Sequence, residues 1–401
     1  MDGFQSESMI EVPITPGVLQ WAIERSGLTV EQIAKNLADA AKVKSWREGT
    51  SLPSLTQAEK LAEKLRVPLP VLLLEVPPRV ELPIPDLRTV EGHAPYTPSP
   101  EFIETINDAV VRQDWYREHV IATGARSLPF VGQFTPTDKV ALIARSIRVS
   151  LQLDERLRRQ AKSWQDFLGK LVQRSDDAGI VVMRNSVVRN DNNRKLMVNE
   201  FRGFAISDLY APLVFINSRD AKAAQIFTLA HELAHVWLGA TGISNPDPRK
   251  GRGQMGIDLE QTCNEIAAEV LVPGDSFLQL WSGVRNTDAN VRHAAAYFRV
   301  SSLVILRRAH EFGKITREEF RKRVGAEYAR FQAAEEKEQE KEERKGNFWN
   351  LFLMRNSQRF TEAVATAARN GNISFIYASD LLGVKAATLE NYIKRFHTGL
   401  K

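Results

Sequence analysis

Residues 77–100 carry seven prolines, and no chain continues a helix or a central strand through such a stretch. The segment therefore reads as a linker that divides the 401 residues into an N-terminal unit, 1–76, and a longer remainder. A charged run, EEKEQEKEERK at 335–345, divides that remainder again. It implies a solvated helical spacer over 331–348, with a helical segment over 349–401 beyond it. At 43% apolar and 26% charged residues the chain can bury a sizeable core. No apolar run approaches the roughly 20 residues of a membrane-spanning helix, so no membrane partner is expected. The opening MDGFQSESMIEVP has acidic residues where a secretory signal has basic ones, which leads us to expect a cytoplasmic protein. One cysteine, Cys263, excludes an internal disulfide and a cysteine-rich zinc cluster within this chain. The net charge of +5 permits nucleic-acid partners without establishing them. Residues 139–202 hold fourteen Lys/Arg against seven Asp/Glu, whereas residues 1–80 hold nine against ten.

The N-terminal unit reads as four or five short helices. One starts near Pro16 and stops at Gly27. Thr29 and Gln32 are spaced as a capping box, with Ile33, Ala34 and Leu37 following at helical spacing. Val43 and Trp46 belong to a third run that ends at Gly49, and Leu55, Ala58, Leu61, Ala62 and Leu65 form one apolar stripe. Through GLTVEQIAKNL, VKSWREGTSLPS and LTQAEKLAEKLRVPL this unit resembles XRE-type helix-turn-helix repressors. The resemblance implies a third helix in the DNA major groove, with Lys42, Lys44, Ser45 and Arg47 near phosphates or base edges, and a homodimer. Ala38–Ala41 replaces that family's Gly-Val-Ser-like turn.

Beyond the linker, helical periodicity runs over 101–122 and 137–174. Ile180–Met183, Val198–Ile206 and Leu213–Ile216 are short strand-like runs, so a small sheet packed among helices is expected. The fold class is α+β and mostly helical: a helix-turn-helix bundle, a domain over 101–330, then C-terminal helices. The pattern YASDLLGVKAATLENYIKRF within 349–397 has a faint helix-turn-helix cadence.

The chemistry concentrates in AKAAQIFTLAHELAHVWLGA. Ile226, Ala230, Ala234 and Trp237 make a helical stripe, and His231 and His235, one turn apart, present two imidazoles to one ion. Neutral imidazole suits Zn2+. Glu232 is placed to take a proton from water as it attacks a peptide carbonyl, and to return it to the leaving amine. A third ligand comes from the next helix, over 258–273, capped by Asp258 and stopped by Pro273. Taking Glu260 as zero at about 100° per residue, Asn264, Ala267 and Leu271 fall within about 40° of it, while Glu265 and Glu269 fall near 140° and 180°. Glu260 thus shares the inward face. Cys263 reads as a small buried hydrophobe, His293 and His310 as packing residues with a lesser claim to substrate contact, and residues 212–217 as an edge strand that pairs with substrate.

The order PLVFINS, FTLAHELAH, ExxCNxxAAEVLVP over residues 165–310 resembles the ImmA/IrrE family of zinc metallopeptidases. That resemblance implies a zincin-like (gluzincin) domain and intracellular endopeptidase activity against XRE-type repressors in stress response or mobile-element induction. The ligands would be His231, His235 and Glu260 and the general base Glu232. Two other functions compete: a transcriptional regulator or antitoxin-like protein with a structural or sensory zinc site, and a helix-turn-helix unit that recognises a toxin or repressor protein instead of DNA.

Overall fold

The computed structural model describes residues 10–79, 81–87, 98–244, 259–327 and 348–396. They divide into two compact units: one runs to Leu82 and resumes over 98–104, and the other holds 83–87 and everything from Thr105 onward. The charged run at 335–345 and Asp258 lie outside the described residues.

In the first unit, α1 (Pro16–Ser26) begins on a proline, whose missing N–H costs nothing there, and ends at Gly27 in the left-handed region (φ 64°). α2 (Val30–Ala34) starts at the expected capping box, Thr29 and Gln32 each bonding the other's backbone N–H. Between α2 and the next helix Asn36 takes the left-handed conformation (φ 61°), and Asp39 caps α3 (Ala40–Glu48) by accepting from the Ala41 N–H. α4 (Leu55–Leu65) carries a second capping box, Ser54 with Gln57. Leu19, Ile33, Val43, Trp46 and Leu61 are buried together, which gives this unit its own core.

In the second unit the helical stretch expected over 137–174 is three helices: α6 (Val140–Ser150), α7 (Glu155–Gln160) and α8 (Trp164–Asp177). Gln152 turns left-handed (φ 52°), and the side chains of Asp154 and Ser163 cap the two new starts. Ahead of them, α5 (Pro100–Ala122) is a single long helix.

The strands are β1 (Val181–Asn185), β2 (Val187–Val188), β3 (Asp191–Lys195), β4 (Gly203–Ile206) and β5 (Leu213–Asn217), followed by α9 (Lys222–Trp237) and β6 (Gly242–Ser244). β2 and β3 form a separate hairpin, and the main sheet has the order β1-β5-β4-β6. β5 pairs parallel with β1, Val181 facing Leu213, and antiparallel with β4, Ile206 facing Leu213. This corrects the expectation for 212–217. A strand bonded on both sides has no free edge for substrate, and all five of its residues are buried.

β6 lies at the far side of the sheet, antiparallel to β4. Part of the proline-rich stretch runs beside it: the Ile243 N–H donates to Pro85 O at 2.9 Å, Asp86 bridges Ile243 in parallel, and a Cβ on Gly242 would collide with Leu87. The segment expected only to link therefore also packs.

α10 (Leu259–Leu271), α11 (Gly274–Leu280), α12 (Thr287–Phe298) and α13 (Ser302–Glu311) follow, then a helix α14 over residues 317–327. The C-terminal helices are α15 (Phe348–Asn356), α16 (Gln358–Arg369), α17 (Phe375–Leu382) and α18 (Ala386–Phe396). They belong to the second unit and are pinned to it: Arg112 Nη1 donates to Asn356 Oδ1 at 3.1 Å, Ser357 Oγ to Asp176 Oδ1 at 3.0 Å, and Arg359 Nε to Tyr116 Oη at 2.8 Å. The whole is an α+β, mostly helical fold. No described helix is long and apolar enough to cross a membrane.

Candidate metal centre

Fourteen of the sixteen residues of α9 are buried, among them His231, Glu232 and His235. A helix surrounded by apolar contacts on all sides is a core helix. Burying two imidazoles and a carboxyl in it carries a desolvation cost that only good partners offset. One helical turn sets His231 Nε2 and His235 Nε2 3.0 Å apart. Glu260, in the first turn of α10, brings its carboxylate to both rings: Oε2 is 3.3 Å from His231 Nε2 and Oε1 is 3.0 Å from His235 Nε2. These three residues are the group that could hold a metal ion among the described residues, all three donor atoms lying within 4.8 Å of one another.

The donor set fits zinc. Two ligands each about 2.0–2.1 Å from a tetrahedral ion stand about 3.3 Å apart, close to the separations here. Two nitrogens and one carboxylate also leave a coordination position open, as in catalytic sites. The Glu260 side chain is 21% exposed while both rings are fully buried. Burial alone would raise the Glu260 carboxyl, but the facing His231 and His235 rings outweigh it and hold it well below the usual carboxylate range. Burial lowers His231, against the pull of Glu260, which favours the neutral ring that a metal needs.

Further residues hold this set in place. Asn264 Oδ1 lies 3.1 Å from His231 Nδ1, fixing the ring whose Nε2 faces the donors. Ser244 Oγ, at the end of β6, donates to Glu232 Oε1, while Glu232 Oε2 has no hydrogen-bond partner among the described residues. Burial pushes the Glu232 carboxyl up to about 8, against the opposing influence of His235 and Ser244. Gly203 on β4 lets the sheet approach α9: a Cβ there would stand 2.7 Å from Thr228 Cγ2, 2.8 Å from Glu232 Oε1 and 3.0 Å from Phe215 O. Cys263 is buried against His235, its thiol pushed up by burial, and stays outside the donor group.

Asn264 lies on the same face of α10 as Glu260, one turn on, although the spacing alone did not single it out. Glu265 accepts from Gln261 at 3.3 Å, and Glu269 is ion-paired to Arg308 on α13, so both point away from the rings. No local signal marks Ser244 or Gly203, which are brought in by strand pairing. His293 is exposed, and His310 stacks on Phe320; neither joins the centre. In the first unit, Lys42 and Lys44 are exposed on α3, whereas Ser45 and Arg47 are half-buried. Ser45 Oγ is engaged with Lys42 O at 2.9 Å and Ser51 Oγ at 2.6 Å.

A core helix bearing HExxH behind a small mixed sheet, with a glutamate delivered by the following helix, defines a domain of the zincin-like metallopeptidase type. The comparison with protein families agrees: the model of the IrrE N-terminal-like domain, Peptidase_M78, matches residues 175–310, about a third of the chain. A second model, DUF8813, a domain of unknown function, matches residues 356–395. The search of curated proteins found no match.

Proposed function

We propose that the chain is a zinc-dependent endopeptidase coupled to a DNA-binding domain, acting in the cytoplasm on a repressor-type partner or on itself in stress response or mobile-element regulation. The observation that supports this most is the convergence of His231, His235 and Glu260 beside a buried Glu232. His231, His235 and Glu260 would hold Zn2+, and the chemistry a bound zinc supplies is Lewis acidity. Glu232 would act as general base through Oε2, the oxygen that Ser244 leaves unpartnered, and would return the proton to the leaving amine. A divalent charge beside Glu232 would draw its raised pKa back down. Lys42, Lys44, Ser45 and Arg47 are the proposed DNA contacts, in a homodimer of the N-terminal units.

A second reading draws on one specific observation. Glu232 is wholly buried and bonded to Ser244, which also suits a structural or sensory zinc site in a transcriptional regulator or antitoxin-like protein that cleaves nothing. Metal analysis and a cleavage assay on partners captured from a co-expressed neighbouring gene separate the two. In the first reading, Glu232→Gln keeps zinc and loses cleavage by about 10²–10⁴-fold. If wild type and variant both leave every captured partner and their own chains intact, the enzyme reading fails.

A further inference from the structure

The C-terminal helices take no part in the candidate metal centre, and the pattern YASDLLGVKAATLENYIKRF falls on two of them with a turn between. Ser374 caps α17 by accepting from the Tyr377 N–H, and Gly383 ends that helix in the left-handed region (φ 63°). Residues 383–385 form a short step into α18. Ala378, Ser379, Leu381 and Leu382 of α17 and Leu389 and Tyr392 of α18 are buried, as are Phe360, Val364 and Ala368 of α16, and the three helices pack on one another. Two short helices, a glycine turn and a third helix beneath them are the plan of a helix-turn-helix unit. The turn is anchored, because Asn190 Nδ2 donates to Gly383 O at 2.6 Å. The family match at 356–395, which carries no assigned function, coincides with these three helices.

We propose that α16–α18 form a second helix-turn-helix that binds duplex DNA through α18. Buried Leu389 and Tyr392 define the inner face of α18. Taking about 100° per residue, Ala387, Glu390, Asn391, Lys394 and Arg395 share an outer arc of about 140°, and all five are exposed. The exposed Ala386 and Ala387 leave the leading end of α18 slim, as a helix that enters a groove needs. Asn391 has the side chain that pairs with an adenine edge, and Lys385, Lys394 and Arg395 are placed for phosphates. The one acidic residue on that arc, Glu390, pairs with Lys394 at 2.6 Å, an exposed ion pair worth little, so that the ammonium can exchange to a phosphate. Residues 348–396 hold six Lys/Arg against three Asp/Glu, a balance more favourable to a polyanion than the near-neutral N-terminal unit. The first turn of α17 is different: Phe375, Ile376 and Tyr377 are 43%, 73% and 43% exposed, a composition that a protein would cover. The cations lie on α18, which favours DNA there.

The test uses the full chain carrying Lys44→Ala and Arg47→Ala, so that α3 contributes little. Fluorescence anisotropy of a labelled mixed-sequence duplex is followed between about 50 and 200 mM salt. Binding should persist in this background. Adding Lys385→Ala, Lys394→Ala and Arg395→Ala should make the log–log salt slope shallower by about 1 for each phosphate deprived of its cation, with helicity unchanged because all three side chains are exposed. Asn391→Ala should keep the slope and flatten the preference among sequences selected from a random pool. A background protein that binds no DNA at about 50 mM salt, or a triple variant with an unchanged slope, overturns the proposal. If Ile376→Ser instead shifts the elution volume while the triple variant binds as before, the proposal also fails and the surface belongs to a protein interface.

Discussion

Replacing Asn264 with alanine isolates the orientation of a ligand from the ligand itself. Asn264 is 3% exposed and its Oδ1 lies 3.1 Å from His231 Nδ1. His231 Nε2 faces Glu260 and His235, so an ion bound there would leave the proton on Nδ1, with Asn264 Oδ1 as its acceptor. Alanine leaves that N–H buried without a partner and frees the ring to rotate about χ2. The loss of such an outer partner lowers metal affinity about 10–100-fold, which is about 1.4–2.7 kcal/mol. Asn264→Asp restores an acceptor of similar shape and makes the ring more basic, so its affinity should stay at or above that of wild type. Zinc affinity is read by competition with a chromophoric chelator at fixed pH, and the melting temperature of the stripped proteins shows whether each variant is folded. A folded Asn264→Ala that binds zinc within about threefold of wild type would refute the reasoning: His231 would then be oriented by its packing alone.

Gly203→Ala should destabilise the protein by about 1–3 kcal/mol in urea denaturation, because one of the atoms it would press on, Phe215 O, is sheet backbone that cannot yield. The pH dependence of stability should carry the mark of Asp176, whose half-buried carboxyl is pushed up to about 6 by burial despite its bonds to Ser357 and Val182. A raised carboxyl favours the folded state while protonated, so its contribution is complete below about 4 and is lost as pH rises through 6. It amounts to about 3 kcal/mol at most, and less to the extent that solvent screens it. Asp176→Asn should flatten that stretch of the curve measured by urea denaturation; an identical slope would remove Asp176 as its source. Leu87→Ala should weaken the hold of residues 85–87 on β6 and speed hydrogen exchange at the Ile243 amide, the donor to Pro85 O.

What the sequence reveals and what it hides follow the range over which each signal acts. Capping is settled within four residues, so the Thr29–Gln32 box and the stops at Gly27 and Gly49 are readable in advance. The donor triad is readable too, since two of its members are one helical turn apart and the third sits on a helix whose inward face follows from angular arithmetic. Strand pairing acts across the chain and leaves a weaker trace. β6 has only three residues, and β3 reads DNNRK, mostly exposed, with no alternation to mark it. β5 directly precedes α9 in sequence, and that adjacency is what points to it as a substrate strand. Yet β4 and β1 both bond to it, and the strands beside Glu232 are β4, at Gly203, and β6, at Ser244. The interruption of 137–174 is hidden for a related reason: helical periodicity persists through Gln152, and only its left-handed φ, with caps at Asp154 and Ser163, breaks the helix. Candidate donors carried on helices are thus legible, whereas the groups that steer them are supplied by pairing and packing. Ser244 reaches Glu232 only because β6 aligns with Gly203 on β4, and Gly203 in turn sets how closely the sheet approaches α9.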